Sequence, residues 1–347
     1  GGGFISLELA ENLKELGMDV TIVQNGKQLM NPFDADMASF IHNELRRHGV
    51  NLVFGHAVTG FTKHDGGVEV MLKDNCSLRA DMAVLAIGVT PDTELARSAG
   101  LELGLKGSIV VNDKMETSVP DIYAAGDAVQ VKNFVTGEED LIALAGPANK
   151  QGRIIADNIC GLNSRYNGSQ GSSVIKVFDL TAATTGINEK RAAKSGIDAD
   201  SVILSPMSHA GYYPGGKVMT MKVVFEKGTY RLLGAQIIGY DGVDKRIDVI
   251  ATAIRAGMKA TELKELDLAY APPYSSAKDP VNMAGFIVDN IANSGLKQWH
   301  VGDADKLPRD GSVTLLDTRT VGEFGRGHIE GFYNIPVDEL RERIAEI

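Results

Sequence analysis

Gly1-Gly2-Gly3 is followed at once by Phe4-Ile5-Ser6 and a stretch of helical spacing. A glycine-rich turn that opens a helix suits a dinucleotide pyrophosphate. Gly1 would permit the tight turn and Gly3 the close approach of phosphate, while the free N–H groups at the helix end supply positive charge. Ser6 stands where a third glycine is usual, and Gln24 where an acidic residue would grip a ribose 2′-hydroxyl. Gln24 donates as well as accepts and carries no repelling charge, so NADH and NADPH both stay open. Lys27 is a candidate for a 2′-phosphate but reads better as a solvated loop lysine. A second motif runs Thr117-Ser118-Val119-Pro120-Asp121-Ile122-Tyr123-Ala124-Ala125-Gly126-Asp127: a turn, an apolar strand, and Gly-Asp at its carboxyl end. Asp127 would accept a hydrogen bond from a ribityl hydroxyl of FAD, with Gly126 letting the backbone come close; the plainer alternative is a surface carboxylate after a strand. Further on, Ala145-Gly146-Pro147-Ala148-Asn149 opens a helix whose N-terminus, Pro147 and Ala148 included, would face the flavin ring and stabilise negative charge on it. Pro147 also has a purely structural reason to sit at a helix start.

The elements that must hold these motifs follow from periodicity. Ile5, Leu9, Leu13 and Leu16 recur at helical spacing and Gly17 stops the helix; a strand is predicted at 19–23, a helix at 34–48 and a strand at 51–54. Segments 61–63, 68–72 and 77–79 alternate around Asp65-Gly66-Gly67 and Asp74-Asn75, which predicts a hairpin insertion. The apolar run 81–87 is expected to be a parallel strand covered on both faces. A strand at 122–125 and a helix at 147–159 carry the second motif. After a polar linker at 161–173, strands at 174–180, 201–208, 217–226 and 230–238 and helices at 189–194, 243–256 and 281–293 predict an α+β domain. Another linker at 298–310 precedes a strand at 313–316.

The chain has 347 residues, enough for two or three domains. Its 44% hydrophobic and 23% charged residues are ordinary for a globular protein, and no apolar run reaches the roughly 18 residues of a membrane span, so a membrane protein is excluded and a cytoplasmic one expected. A net charge of −10 without a basic stretch excludes nucleic acid as partner. The two cysteines, Cys76 and Cys160, lie outside any CxxC or His-rich context, so neither a disulfide framework nor a metal site is expected. The chain opens on Gly1 with no methionine and no strand before it, from which the true N-terminus is expected to be missing.

The order of these motifs resembles the pyridine nucleotide-disulfide oxidoreductases, in which an NAD(P) fold is inserted in an FAD fold and followed by a dimerisation domain. Within them, Gly211-Tyr212-Tyr213-Pro214-Gly215 and Tyr270-Ala271-Pro272-Pro273-Tyr274-Ser275-Ser276-Ala277-Lys278-Asp279-Pro280 resemble the coenzyme A-disulfide reductases and NADH-dependent persulfide reductases. The resemblance covers about residues 1–295. It implies that Tyr212 and Tyr270 reach across a homodimer interface to the partner's redox cysteine, where a phenol can donate to a thiolate or protonate a leaving one. The alternative for both is packing of a large amphipathic ring, which is the reading taken for Tyr213 and Tyr274. The resemblance also implies that Glu8 approaches the nicotinamide and that the turn Ala86-Ile87-Gly88 lies by the same ring. It assigns the redox cysteine to a preceding segment; Cys76 and Cys160 read as ordinary thiols.

Leu315-Leu316-Asp317-Thr318-Arg319, Glu323, Gly327-His328-Ile329-Glu330-Gly331 and Asn334-Ile335-Pro336 resemble the first half of a rhodanese domain, whose persulfide-forming cysteine would come later. The expected fold class is therefore α/β: tandem Rossmann-like FAD and NAD(P) domains, the FAD domain incomplete, an α+β dimerisation domain, and the start of a rhodanese-like α/β domain. The expected divisions are 1–90 for NAD(P), 91–165 for the FAD part, 172–295 for dimerisation and 300–347 for the tail. The resemblance implies reduction of CoA disulfide or CoA persulfide by NAD(P)H through FAD. The rivals are an NADH oxidase or peroxidase with the same cofactor motifs, and a sulfur-carrier module on a structural flavoprotein scaffold.

Overall fold

A computed structural model describes residues 1–347, which divide into two compact units, Gly1–Ser294 and Gly295–Ile347. The first unit begins with α1 (Phe4–Glu15), β1 (Thr21–Gln24), α2 (Ala35–Arg47) and β2 (Asn51–Phe54), with β1 and β2 parallel. Helix α1 ends where predicted, at a left-handed Gly17, and α2 at a left-handed Gly49. The insertion is an antiparallel meander of β3 (Val58–His64), β4 (Gly67–Leu72) and β5 (Ser77–Ala80), as the two turn motifs predicted.

The apolar run 81–87 differs from expectation: it forms no strand, and Met82, Val84, Leu85 and Ile87 are exposed. A parallel strand needs a neighbour to satisfy its N–H and C=O groups, and the β1–β2 sheet holds no third strand. The predicted strand 122–125 likewise reduces to one antiparallel bridge, Tyr123 to Glu116. This region contains α3 (Glu94–Ser98), the short hairpin β6 (Val131–Lys132) and β7 (Glu139–Asp140), and α4 (Ala145–Ile159).

Residues from β8 onward form the predicted α+β domain: β8 (Ser173–Val177), β9 (Leu180–Gly186), α5 (Glu189–Lys194), β10 (Ala199–Leu204), β11 (Met219–Glu226), β12 (Leu232–Gly239), α6 (Val243–Arg255) and α7 (Pro280–Asn293). The strands make one antiparallel sheet in the order β10-β11-β12-β9-β8. The single strand predicted over 174–180 is two strands, because the chain reverses at Phe178, which takes a left-handed φ of 53°. Successive residues Ala182 and Ala183, and Ile238 and Ile237, lie in two different hydrophobic clusters, so the sheet is covered on both faces. One cluster includes Ile247, Ile250, Val281 and Val288 of α6 and α7; the other includes Leu7 of α1 and Met37, Ile41 and Leu45 of α2. The part built from α1, β1 and α2 thus shares its core with β8 and β9 instead of closing a core of its own.

Polar groups reinforce that junction. Lys222 of β11, 2% exposed, lies 3.2 Å from Asp34, 2.9 Å from Asp36 and 2.8 Å from Glu189. Burial alone would lower its pKa, but the hydrogen bond to Glu189 and the neighbouring Asp34 and Asp36 carboxylates outweigh burial and raise it. Asp34 also exchanges two hydrogen bonds with Gln236 of β12.

In the second unit β13 (Leu316–Asp317) and β14 (Tyr333–Asn334) pair in parallel around α8 (Val321–Arg326). Thr320 and Glu323 form a capping box on α8. The strand begins later than predicted, and Val313 is exposed. The predicted linker includes a 3-10 turn, Val301–Lys306. Leu316, Asp317, Arg319, His328 and Trp299 help line an open cleft of about 540 Å³. His328 stacks on Phe324 at 3.7 Å.

Candidate active site

Three constellations carry the residues singled out in the sequence. At the first, Gly3 is the N-cap of α1 in extended conformation without any side-chain cap, so the first-turn N–H groups stay open to a ligand. The Gly1 N–H donates to the Val23 carbonyl at 2.9 Å, and a Cβ at Gly1 would overlap the Ala86 carbonyl. A Cβ at Gly3 would meet nothing within 4 Å. Gly1 is therefore required by the protein's own backbone, whereas Gly3 leaves open space above the helix end. Ser6 donates to the Ala86 carbonyl at 3.3 Å, which ties α1 to the 86–88 turn, and Gly88 has a left-handed φ of 106°. Gln24 ends β1 with its amide beside Gly2 and Gly26; Glu8 and Lys27 are exposed.

The floor of this turn was not legible in the sequence. Leu29 packs under Gly2, Met30 N–H donates to the Gly2 carbonyl at 2.7 Å, and Leu29 N–H donates to Nε2 of His42 at 3.0 Å. A ring nitrogen that accepts from an amide must be unprotonated. Burial, and then Arg46 one turn along, hold the His42 pKa down at about 4.

At the second constellation Gly126 adopts φ 84° and Asp127 is exposed within a 3-10 turn, Gly126–Ala128, not at the end of a strand. Gly126 N–H donates to Oε1 of Gln151, a fully buried side chain of α4, at 2.7 Å. A Cβ at Gly126 would lie 4.0 Å from that of Ala148. The structure thus brings Gly126-Asp127 together with the first turn of α4, which holds Pro147 and Ala148 and begins at Leu144 without a side-chain cap. Gln151 was not singled out in the sequence; its place one turn after Pro147 was the available signal.

The third constellation lies on the five-stranded domain. The hydroxyls of Tyr212 and Tyr270, 58 residues apart in sequence, are 2.7 Å apart, and both side chains are exposed. The hydrogen bond to Tyr212, then burial, push the Tyr270 pKa up, so this phenol keeps its proton. Tyr213 stands edge-on to buried His209 at 5.7 Å, as a packing residue does, while Tyr274 is largely exposed. Cys76, between β4 and β5, and Cys160, capping α4, are both exposed free thiols.

The glycine cradles and open helix ends fit dinucleotides, and the tyrosine pair is a proton-bearing group. Residues 1–152 match the family model described as pyridine nucleotide-disulphide oxidoreductase, and residues 172–280 match the dimerisation domain of that family. An FAD-dependent pyridine nucleotide-disulphide oxidoreductase from Desulfovibrio vulgaris is 32% identical, with 84% of this chain covering 70% of that one at a TM-score of 0.71. The chain belongs to the pyridine nucleotide-disulphide oxidoreductases. As in that family, it combines a Rossmann-like redox part with a dimerisation domain. Among oxidoreductases of known structure, reduced CoADR-RHD of Bacillus anthracis is 47% identical over 100% of this chain and 62% of its own, with a TM-score of 0.95. The NAD-dependent persulfide reductase of A. fulgidus is 40% identical over 100% and 63%, with a TM-score of 0.92. An NAD(P)H sulfur oxidoreductase (CoA-dependent) from Pyrococcus abyssi is 37% identical over 282 residues, 81% of this chain. The chain spans 63% of the length of that relative.

Proposed function

We propose that the protein to which these residues belong is an FAD-dependent oxidoreductase that uses NADH or NADPH to reduce CoA disulfide or CoA persulfide, acting as a cytoplasmic homodimer. The observation that carries this reading is the hydrogen-bonded pair of exposed phenols, Tyr212 and Tyr270, on the dimerisation domain. When one phenol donates to the other, the acceptor's own proton is free to reach a thiolate, and the raised pKa of Tyr270 keeps that proton available. In the balanced reaction NAD(P)H and a proton enter, one S–S bond breaks, and two thiols leave. From CoA persulfide these are CoA and hydrogen sulfide. Bound FAD would supply the two-electron relay between nicotinamide and sulfur.

In this reading the N-terminus of α1 with Gly1, Gly3 and Ser6 holds the NAD(P)H pyrophosphate, Gln24 meets its ribose, and Glu8 and Gly88 face the nicotinamide. Gly126, Asp127, Pro147 and Ala148 hold FAD. Cys76 lies between β4 and β5, and Cys160 caps the end of α4 opposite to the one that bears Pro147 and Ala148, so the redox cysteine is assigned to a part of the protein outside these residues. The divisions 1–90, 91–165, 172–295 and 300–347 are kept as NAD(P), FAD, dimerisation and rhodanese-like parts. The parallel β13–α8–β14 unit supports the last of them. A rhodanese-like tail would make sulfane sulfur the cargo.

The test is anaerobic oxidation of NADH and of NADPH by the full-length, FAD-loaded protein with CoA disulfide or CoA persulfide, beside an oxygen-only control. Turnover with a CoA substrate is expected. Turnover sustained by oxygen alone, with the CoA compounds inert, overturns the reading in favour of an oxidase; no turnover with any acceptor favours a carrier.

A further inference from the structure

Tyr212 and Tyr270 project from two long loops, one between β10 and β11 and one before α7. Two exposed phenols on unanchored loops would lose their 2.7 Å contact to rotamer and backbone freedom. The anchor lies beneath them. Ala210 N–H of the first loop donates to the Ser275 carbonyl of the second at 2.8 Å. The guanidinium of Arg246, on α6, is 1% exposed and reaches both loops. Its Nη2 lies 2.9 Å from the Ser208 carbonyl, 3.3 Å from the Tyr274 carbonyl, 3.2 Å from Ser275 Oγ and 3.0 Å from Asp279 Oδ2.

The partners of Arg246 are themselves fixed. Asp279 is 3% exposed; Ser275 Oγ donates to its Oδ2 at 2.6 Å, and Val281 N–H donates to its Oδ1 at 3.0 Å, capping α7. Burial would raise the Asp279 pKa, but these bonds and Arg246 outweigh it and lower it. Gly242 at the start of α6 has a left-handed φ of 68°, and a Cβ there would overlap Nη1 of Arg246, so the room for the guanidinium is built into the fold. Its carbonyl accepts from the same Nη1 at 3.1 Å.

We propose that Arg246, with Asp279 and Ser275, is a positioning clamp that holds the Tyr212 and Tyr270 loops together so that their phenols meet and present one proton. It acts through the tyrosines and does not touch substrate. The inference rests on the reading of those tyrosines given above. The chemistry asks for arginine: only a planar fork with several donors can engage a carboxylate and carbonyls of two loops at once, whereas a lysine ammonium pairs with Asp279 and releases the rest.

The test is a double-mutant cycle in the full-length, FAD-loaded enzyme with CoA disulfide. Arg246→Lys keeps a charge beside Asp279 and is expected to lower kcat about tenfold or more, from loss of alignment, with KM for NADH unchanged. In a Tyr212→Phe, Tyr270→Phe background the same substitution is expected to change kcat by less than about twofold, because groups acting as one unit are non-additive. Ser275→Ala, which leaves the ion pair intact, gives a smaller loss of the same pattern and carries the test if Arg246→Lys folds poorly.

Ultraviolet titration of phenol ionisation is the independent readout. The high-pH component that disappears in Tyr270→Phe should move down in Arg246→Lys and Ser275→Ala. Loss of activity that multiplies in the phenylalanine background, or a phenol titration indifferent to both variants, overturns the clamp. Full turnover in the Tyr212→Phe, Tyr270→Phe enzyme would instead refute the tyrosine reading, and the titration would still decide the clamp.

Discussion

Acid should unlock the Gly1-Gly2-Gly3 turn through His42. Its Nε2 accepts the buried Leu29 N–H, and Leu29 and Met30 form the floor on which Gly2 rests. Protonation would set an N–H against an N–H inside the core. The His42 pKa is lowered from 6.5 to about 4, so the fold favours the neutral ring. For a base with depressed folded pKa the stabilisation is fully present above the unfolded value, near pH 6.5, and is lost as pH falls from there toward 4. At about 1.4 kcal/mol per pH unit, that displacement is worth about 3 kcal/mol. Urea unfolding of the full-length protein between pH 4 and about 7.5 should show this loss as an uptake of close to one proton. His42→Gln keeps an acceptor without a titrating ring, so its stability should change less over the window by that amount. His42→Leu orphans the Leu29 amide and should cost about 1–3 kcal/mol at pH 7. Equal pH dependence in wild type and His42→Gln, or a His42 ring that titrates near 6.5 by NMR, would refute the argument.

Gly3→Ala should leave the thermal midpoint unchanged, because the added methyl meets nothing, yet weaken NAD(P)H binding about tenfold or more by entering the space for pyrophosphate, as titration calorimetry would show. An unchanged Kd would remove the dinucleotide from that turn. Asp127→Ala should lower the FAD content of purified protein while NAD(P)H affinity holds; full flavin loading would contradict its assignment. Lys222→Met leaves the carboxylate of Asp34, 8% exposed, without its ammonium and should destabilise the fold by about 3 kcal/mol in urea unfolding. No change would show that Gln236 and the Glu189 N–H satisfy Asp34 without the ammonium.

The helices were legible because their spacing and stop signals are local: Gly17 and Gly49 end α1 and α2 by their own backbone freedom. The meander was legible from Asp65-Gly66-Gly67 and Asp74-Asn75. The apolar run 81–87 and the segment 122–125 were misread because composition reports a wish to be buried, while a strand also needs a pairing neighbour. The split at Phe178 was hidden, since a left-handed phenylalanine gives no turn signal of the kind glycine or asparagine gives. Tyr212 and Tyr270 were named from their motifs, but only the fold brings their hydroxyls together. His42, Gln151 and Arg246 were missed because each serves a partner 13, 25 or 33 residues away with no recurring spacing to betray it. Asp279-Pro280 did carry a signal, a capping carboxylate before a proline at the first helical position, that marks the start of α7.

The most direct measurement of the central claim is the anaerobic oxidative half-reaction: the full-length enzyme, reduced with one equivalent of NADH, is mixed with CoA disulfide or CoA persulfide, and thiol release is followed in wild type and Tyr270→Phe. The account predicts stoichiometric release of thiol in wild type and a rate about a hundredfold lower in Tyr270→Phe, the usual worth of a positioned proton donor. Equal rates in the two enzymes, or reduced enzyme that ignores both CoA compounds and discharges only to oxygen, would contradict it.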